Sequence, residues 1–164
     1  MSKKTNIKIL GIDPGIGRIG WGLIEKNGSK ISPIDYGCIE TLAEEARLLS
    51  LKKRLTDIVK KNKPKMLVVE KIFFSRNVKT AIKVSEARGV ILLCAQEYNL
   101  DVLEPTPMQV KQLITGFGHA TKSDVAQNMA RTLKIEKIPK PDDVADALAI
   151  ALWGALLPKY NYLN

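Results

Sequence analysis

Ile7-Lys8-Ile9-Leu10-Gly11-Ile12 runs into Asp13 and then into Pro14-Gly15-Ile16-Gly17. An apolar stretch of strand length that ends in turn residues predicts a β-strand over 6–13. Beyond the turn a second strand covers roughly 18–26. Asn27-Gly28 is a two-residue hairpin signal leading into a third strand near 30–40. The chain thus opens with an antiparallel meander. Residues 43–62 follow helical spacing through Ala46, Leu49, Lys53 and Ile58, with Leu48, Leu51 and Leu55 widening the apolar face. Met66-Leu67-Val68-Val69 is a short continuous apolar run, as expected of a strand covered on both faces. A long helix over 77–98 follows, then the strand Asp101-Val102-Leu103-Glu104, stopped by Pro105. Helices near 106–115, 121–134 and 142–157 complete the chain, the first two separated by Gly116-Phe117-Gly118-His119-Ala120. This order predicts an α/β fold: a mixed five-stranded sheet flanked by helices on both faces.

No repeat, low-complexity tract or linker divides the 164 residues, so one domain over 1–164 is expected, with a short tail at its C-terminal end. The 26 Lys and Arg outnumber 17 Asp and Glu, giving a net charge of +9. That surplus favours a polyanionic partner. No segment reaches the ~20 apolar residues of a membrane span. Met1-Ser2-Lys3-Lys4-Thr5-Asn6 lacks the apolar stretch of a secretory leader, so the cytoplasm is the expected compartment. Cys38 and Cys94 lie far apart in apolar contexts and read as reduced core thiols. With one histidine, His119, and no C-x-x-C pair, a structural zinc site is excluded. Any bound metal must use oxygen ligands, which points to Mg²⁺ or Mn²⁺.

Four carboxylates stand where they are costly. Asp13 ends the first strand, Glu70 follows Val69, and Asp143 and Asp146 lie in a helix otherwise built of Ala, Leu, Ile, Val and Trp. A carboxylate in apolar surroundings must be paired, hydrogen-bonded or metal-bound, or else it takes up a proton. Asp13 also has an ordinary reading, because Asp-Pro-Gly is turn chemistry. Glu70 could pair with a cation, though the adjacent Lys71 points to the opposite face. Asp142 reads as an N-cap and Asp143 as a first-turn acid. Asp146 has neither excuse, and being three residues from Asp143 it projects on the same face. Asp13 and Glu70 both fall at the carboxyl ends of their strands, where α/β sheets build sites. Two divalent ions ~4 Å apart, held by carboxylates on separate rigid elements, can activate water, neutralise a phosphate and stabilise a leaving oxyanion. An acidic cluster in a basic protein therefore suggests metal ions acting on phosphate.

Gly11-Ile12-Asp13-Pro14-Gly15, Val69-Glu70-Lys71-Ile72-Phe73 and Asp143-Val144-Ala145-Asp146-Ala147-Leu148-Ala149 resemble, in order and spacing, the acidic motifs of the RuvC family. These are bacterial crossover (Holliday) junction endodeoxyribonucleases with an RNase H-like fold. Ala87-Arg88-Gly89, Gln109-Val110-Lys111-Gln112 and the loop from Gly116 to Lys122 also match, so the resemblance spans roughly residues 7–155. It implies Asp13, Glu70, Asp143 and Asp146 as metal-binding catalytic acids, with two Mg²⁺ ions per site and Mn²⁺ as a substitute. Asp142 stands at a position not usually acidic in the family.

Lys111 and Lys122 match basic residues used for junction DNA, Lys122 also for catalysis; the ordinary reading of either is a solvated surface lysine. Phe73 matches an aromatic residue that works at the junction core, against the alternative of a core phenylalanine. Arg76, Lys79 and Lys83 are further candidate phosphate contacts. Ala81, Ser85 and Gly89 form a strip of small residues along the 77–98 helix, which reads either as core packing or as a helix–helix contact. The resemblance selects the second, a homodimer, which suits symmetric cleavage of a four-way junction. It also implies the branch-migration proteins RuvA and RuvB as partners. The expected activity is Mg²⁺-dependent nicking of two strands of like polarity. Its rivals are a non-catalytic junction-binding module, an RNase H-like nuclease acting on RNA or hybrids, and a nucleotide-binding domain of the actin and sugar-kinase type. All four acids argue against the first, the motifs beyond the acids against the second, and chain length against the third.

Overall fold

The computed structural model describes residues 6–41, 46–72 and 78–158. Three antiparallel strands open it: β1 (Asn6–Asp13), β2 (Arg18–Asn27) and β3 (Lys30–Glu40). Asn27 pairs with Lys30, so the tight turn between β2 and β3 is Gly28-Ser29, one residue later than Asn27-Gly28. Gly28 takes φ +60°, a backbone that favours glycine. Helix α1 (Arg47–Asn62) leads to β4 (Met66–Val69), which pairs parallel with β1. Helix α2 (Val78–Glu97) and β5 (Asp101–Leu103) follow, β5 parallel to β4. Helices α3 (Pro107–Thr115), α4 (Lys122–Leu133) and α5 (Asp142–Leu156) end the described chain. The sheet order is β3-β2-β1-β4-β5, a mixed five-stranded sheet with helices on both faces.

Alternation along the strands sorts the core into two layers. Ile7 and Ile9 of β1, with Met66 and Val68 of β4, pack against α3, α4 and α5. Leu10 and Ile12, with Leu67 and Val69, face Leu51, Leu55 and Val59 of α1 and Ala87, Ile91 and Cys94 of α2. All four residues of β4 are buried, as the uninterrupted apolar run requires. The buried stripe of α1 is Arg47, Leu51, Leu55 and Val59; Leu49 is 73% exposed and lies on the opposite side from that expected. Arg47 is buried because its guanidinium is satisfied by Glu86 and by the Lys83 carbonyl of α2. Cys38 and Cys94 are free thiols.

Helix α5 is buried at Val144, Ala145 and throughout 147–155. It lies on a seam of strand glycines. A Cβ at Gly20 would sit 1.9 Å from the Asp143 carbonyl oxygen, and one at Gly11 2.2 Å from that of Ala147. No other residue fits at either position without moving the helix. No described helix is long and apolar enough to cross a membrane.

Candidate active site

The parallel register pairs Ile12 with Val69, so the next residues, Asp13 and Glu70, emerge side by side at the carboxyl ends of β1 and β4. By strand alternation both continue the face that carries Ile9 and Met66, the face covered by α5. The glycine seam brings the first two turns of α5 down to the same place. Asp13, Glu70 and Asp146 line one cleft of ≈ 290 Å³ together with Lys111 from α3 and Lys122 from α4. Pro107, Val110, Val125, Ala149 and Ile150 supply its apolar lining. Thr106 and Thr121 start α3 and α4 with capping boxes, to Gln109 and Asp124 respectively. The second of these places Lys122 at the first position of α4.

The four acids divide into two kinds. Asp13 and Glu70 accept no hydrogen bond on their carboxyls from any described residue. Burial pushes the Asp13 carboxyl up to about 7; repulsion from Asp146, Glu70 and Asp143 adds to this, and Lys122 partly offsets it. Glu70 is also pushed up to about 7, by burial and then by Asp146, against the pull of Lys122 and Lys111. Asp146 instead accepts a hydrogen bond from Lys122 Nζ at 2.7 Å, and Asp143 one from Arg18 Nε at 2.7 Å. Asp143 does not line the cleft, although its charge is felt at Asp13.

Asp142 occupies the first turn of α5 behind Pro141, which holds the N-cap position, so it is not the cap. Its carboxylate is exposed and bonded to Lys140 Nζ at 2.5 Å, which lowers its pKa. Lys79 is exposed on the first turn of α2, and Lys83 further along it is half-buried; neither lines the cleft. Phe73 and Arg76 lie outside the described residues. Ser85 and Gly89 are exposed on α2, whereas Ala81 is buried within the chain. The exposed face of that helix is formed instead by Ser85 and Gly89 with Ile82 and Leu93. Sequence reasoning missed Arg18. The only available signal was a cation at the start of β2, the strand that returns beside Asp13. It also passed over Arg88 as an individual residue: its Nε approaches the Glu70 carbonyl oxygen at 3.4 Å while its guanidinium pairs with Glu104.

Among the described residues no three acid, thiol or imidazole side chains already form a cage for an ion. The donor set nonetheless fits a divalent cation. Its oxygens are hard, with no thiolate or imidazole in the cleft. Two of its acids, unpaired and mutually repelling, are relieved by a positive ion placed between them.

Residues 9–153 match the family model described as crossover junction endodeoxyribonuclease RuvC. A protein of that name from Petrotoga mobilis is 50% identical over 146 residues, covering 87% of this chain and 90% of that one. One from Caldicellulosiruptor saccharolyticus is 50% identical over 150 residues, covering 89% and 90%. Among solved structures, T. thermophilus RuvC in complex with a Holliday junction substrate superposes with a TM-score of 0.86 at 34% identity, covering 92% of this chain and 93% of that one. The sheet order and the helical layers are therefore those of the RNase H-like resolvases.

Proposed function

The chain belongs to the RuvC family of crossover junction endodeoxyribonucleases, and on that premise we propose a Mg²⁺-dependent, structure-selective endonuclease. It resolves four-way (Holliday) DNA junctions in the cytoplasm by nicking two strands of like polarity. One observation carries the reading: Asp13 and Glu70 stand together with no ion pair among the described residues, each raised to about 7, in a cleft lined by two lysines. Such an arrangement is costly in an isolated protein and suits a site that takes up positive ions and then a phosphate.

Two Mg²⁺ ions, for which Mn²⁺ substitutes, would neutralise charge at phosphorus and lower the pKa of an attacking water. Asp13 and Glu70 would hold them at the strand ends. Asp146 and Asp143 are the remaining donors, each already accepting a hydrogen bond from a positively charged group. Lys111 and Lys122 hold the DNA backbone across the cleft, so binding weakens steeply with salt. Lys122 also lies within reach of the reacting phosphate, because it contacts an acid of the cleft directly.

The exposed face of α2 supports a homodimer. Ile82 and Leu93 are 53% and 52% exposed, and a Cβ at Gly89 would meet nothing within 4 Å. A two-fold pair presents two clefts to two like strands. The family resemblance extends the partners to RuvA and RuvB. Cleavage of a synthetic four-way junction, beside a duplex and a single strand, tests the reading. Symmetric nicks that require Mg²⁺ and vanish in Asp13→Asn and Asp146→Asn are expected. Retained cleavage in either variant refutes the assignment of the acids.

A further inference from the structure

The loop joining α3 to α4 carries an aromatic ring that the described fold leaves largely in solvent. Phe117 is 60% exposed, and Met108 on α3, which lies against Gly118 of the same loop, is 57% exposed. His119, the sole histidine, meets the Phe117 ring edge to face at 5.7 Å between centroids. Loops can leave a phenylalanine exposed by chance, but this one is held in place. Gly116 takes φ +80° to close α3, and its carbonyl accepts from Gln112 Nε2 at 2.9 Å. Thr115 Oγ1 accepts the Phe117 N–H at 3.1 Å, and the Ala120 N–H donates to the Phe117 carbonyl at 3.1 Å. Gly118 packs close enough to Met108 that a Cβ would lie 3.0 Å from its Cγ. The Thr121–Asp124 capping box then fixes the start of α4. The backbone on both sides of the ring is bonded, yet the ring itself stays in water, where it forgoes the stabilisation of a buried aromatic.

The position of the loop indicates what covers it. It lies in the chain between Lys111 and Lys122, the two lysines that line the acidic cleft. A strand whose phosphate reaches those lysines brings its bases past the loop that connects them. Every base has a π-face, and an aromatic ring offers sequence-tolerant stacking to bases that have left the duplex. We infer that Phe117, braced by His119, is a stacking platform for an unpaired or unstacked nucleobase near the scissile phosphate. It is a substrate-positioning residue of the same site and rests on the nuclease reading above. A rigid platform suits this use, since little ordering remains to be done on binding.

The test uses four-way junctions carrying single 2-aminopurine substitutions around the cut site, mixed with the full-length protein and Mg²⁺ in a stopped-flow instrument. Strand cleavage is followed on the same samples. Wild-type protein is expected to quench at least one position before the nick, and Phe117→Leu to lose that quench. Junction affinity of the leucine variant falls about tenfold, consistent with one lost base–aromatic stack. Phe117→Tyr restores both quench and affinity, which a merely structural role for residue 117 would not require. The inference is overturned if the leucine variant quenches and binds like wild type. It is equally overturned if the variant changes oligomeric state in sedimentation with the quench intact, since the patch is then a protein contact. Wild-type protein that fails to cleave the junction at all would instead refute the nuclease reading.

Discussion

The strand ends and the opening turns of α5 both supply acids to one place, yet they hold them in opposite ways. Asp13 and Glu70 are carried by adjacent parallel strands, sit deep, and accept no bond on their carboxyls from the described residues. Asp143 and Asp146 ride on the helix, and each finds a cation, Arg18 or Lys122. Residue type is nearly constant across the four; the difference lies in the element that bears them. A strand end fixes its side chain against the sheet, and here the cleft lysines act on both acids without bonding to either. The first turns of a helix face loops and neighbouring termini, where cationic partners are available. Charge is thus left uncompensated at the strand ends and compensated at the helix.

The sharpest way to break this contrast is to neutralise one acid of the strand pair. Asp13→Asn or Glu70→Gln should lower junction cleavage about 10³-fold or more in single-turnover assays. The same change should stabilise the metal-free protein at pH 8, by on the order of 1–3 kcal/mol in denaturant melts, because a buried repelling charge is removed. Loss of activity together with loss of stability would show that Asp13 is not the strained group described here.

Gly20→Ala attacks the contrast from the other side, by moving the helix away from the strands. Its Cβ would fall 1.9 Å from the Asp143 carbonyl oxygen, backbone that cannot yield. A destabilisation of roughly 3 kcal/mol is expected, with reduced cleavage in whatever still folds. A neutral result in thermal melts would mean that the seam is looser than the structure has it.

A third measurement reads the strand pair by titration. The folded Asp13 and Glu70 carboxyls hold protons up to about 7, against 3.8 and 4.5 as their ordinary values. Between those limits the folded state binds more protons than the unfolded one. Stability of EDTA-treated protein should therefore fall as pH rises from about 4 to about 7, then level off as far as these two groups are concerned. On the proposed metal site, added Mg²⁺ should flatten or reverse that slope by favouring the ionised carboxylates. The Asp13→Asn variant should show a shallower slope even without metal; an unchanged slope would place the titration elsewhere.

The smallest effect separates the two helix acids. Arg18 is about half-exposed, so Arg18→Gln should change stability by less than about 1 kcal/mol. Lys122→Gln should be just as mild in melts yet clearly impaired in cleavage and in the salt dependence of junction binding, losing about one unit of slope. Equal behaviour of the two variants in cleavage would remove the distinction between a cation that lines the cleft and one that does not.

How much of this was legible in the residues follows the same division. The strand acids announce themselves, because an apolar run that closes on a carboxylate has few ordinary explanations, and the buried β4 was plain from Met66–Val69. The hairpin was legible to within one residue, its turn being Gly28-Ser29. The face of α1 was misread: leucines at 48, 49, 51 and 55 permit several stripes, and only the packing of Leu51, Leu55 and Val59 on the sheet selects one. Small size made Ala81 look equivalent to Ser85 and Gly89, but a turn of helix near the subunit core buries the first and leaves the others in solvent. Lys79 and Lys83, expected as further phosphate contacts, lie on α2 outside the cleft, because charge alone carries no information about direction. Arg18 was illegible because its partner Asp143 is far away in sequence, and such pairs exist only once the chain has folded.

The glycine seam has a mechanical consequence. With main chain resting on main chain at Gly20 and Gly11, there is no side chain between strand and helix to act as a shim. A joint without play transmits position faithfully: wherever the ends of β1 and β2 go, the aspartates of α5 go with them. Tolerance at the reacting phosphate is thereby set by missing methyl groups on the far side of the carboxylates.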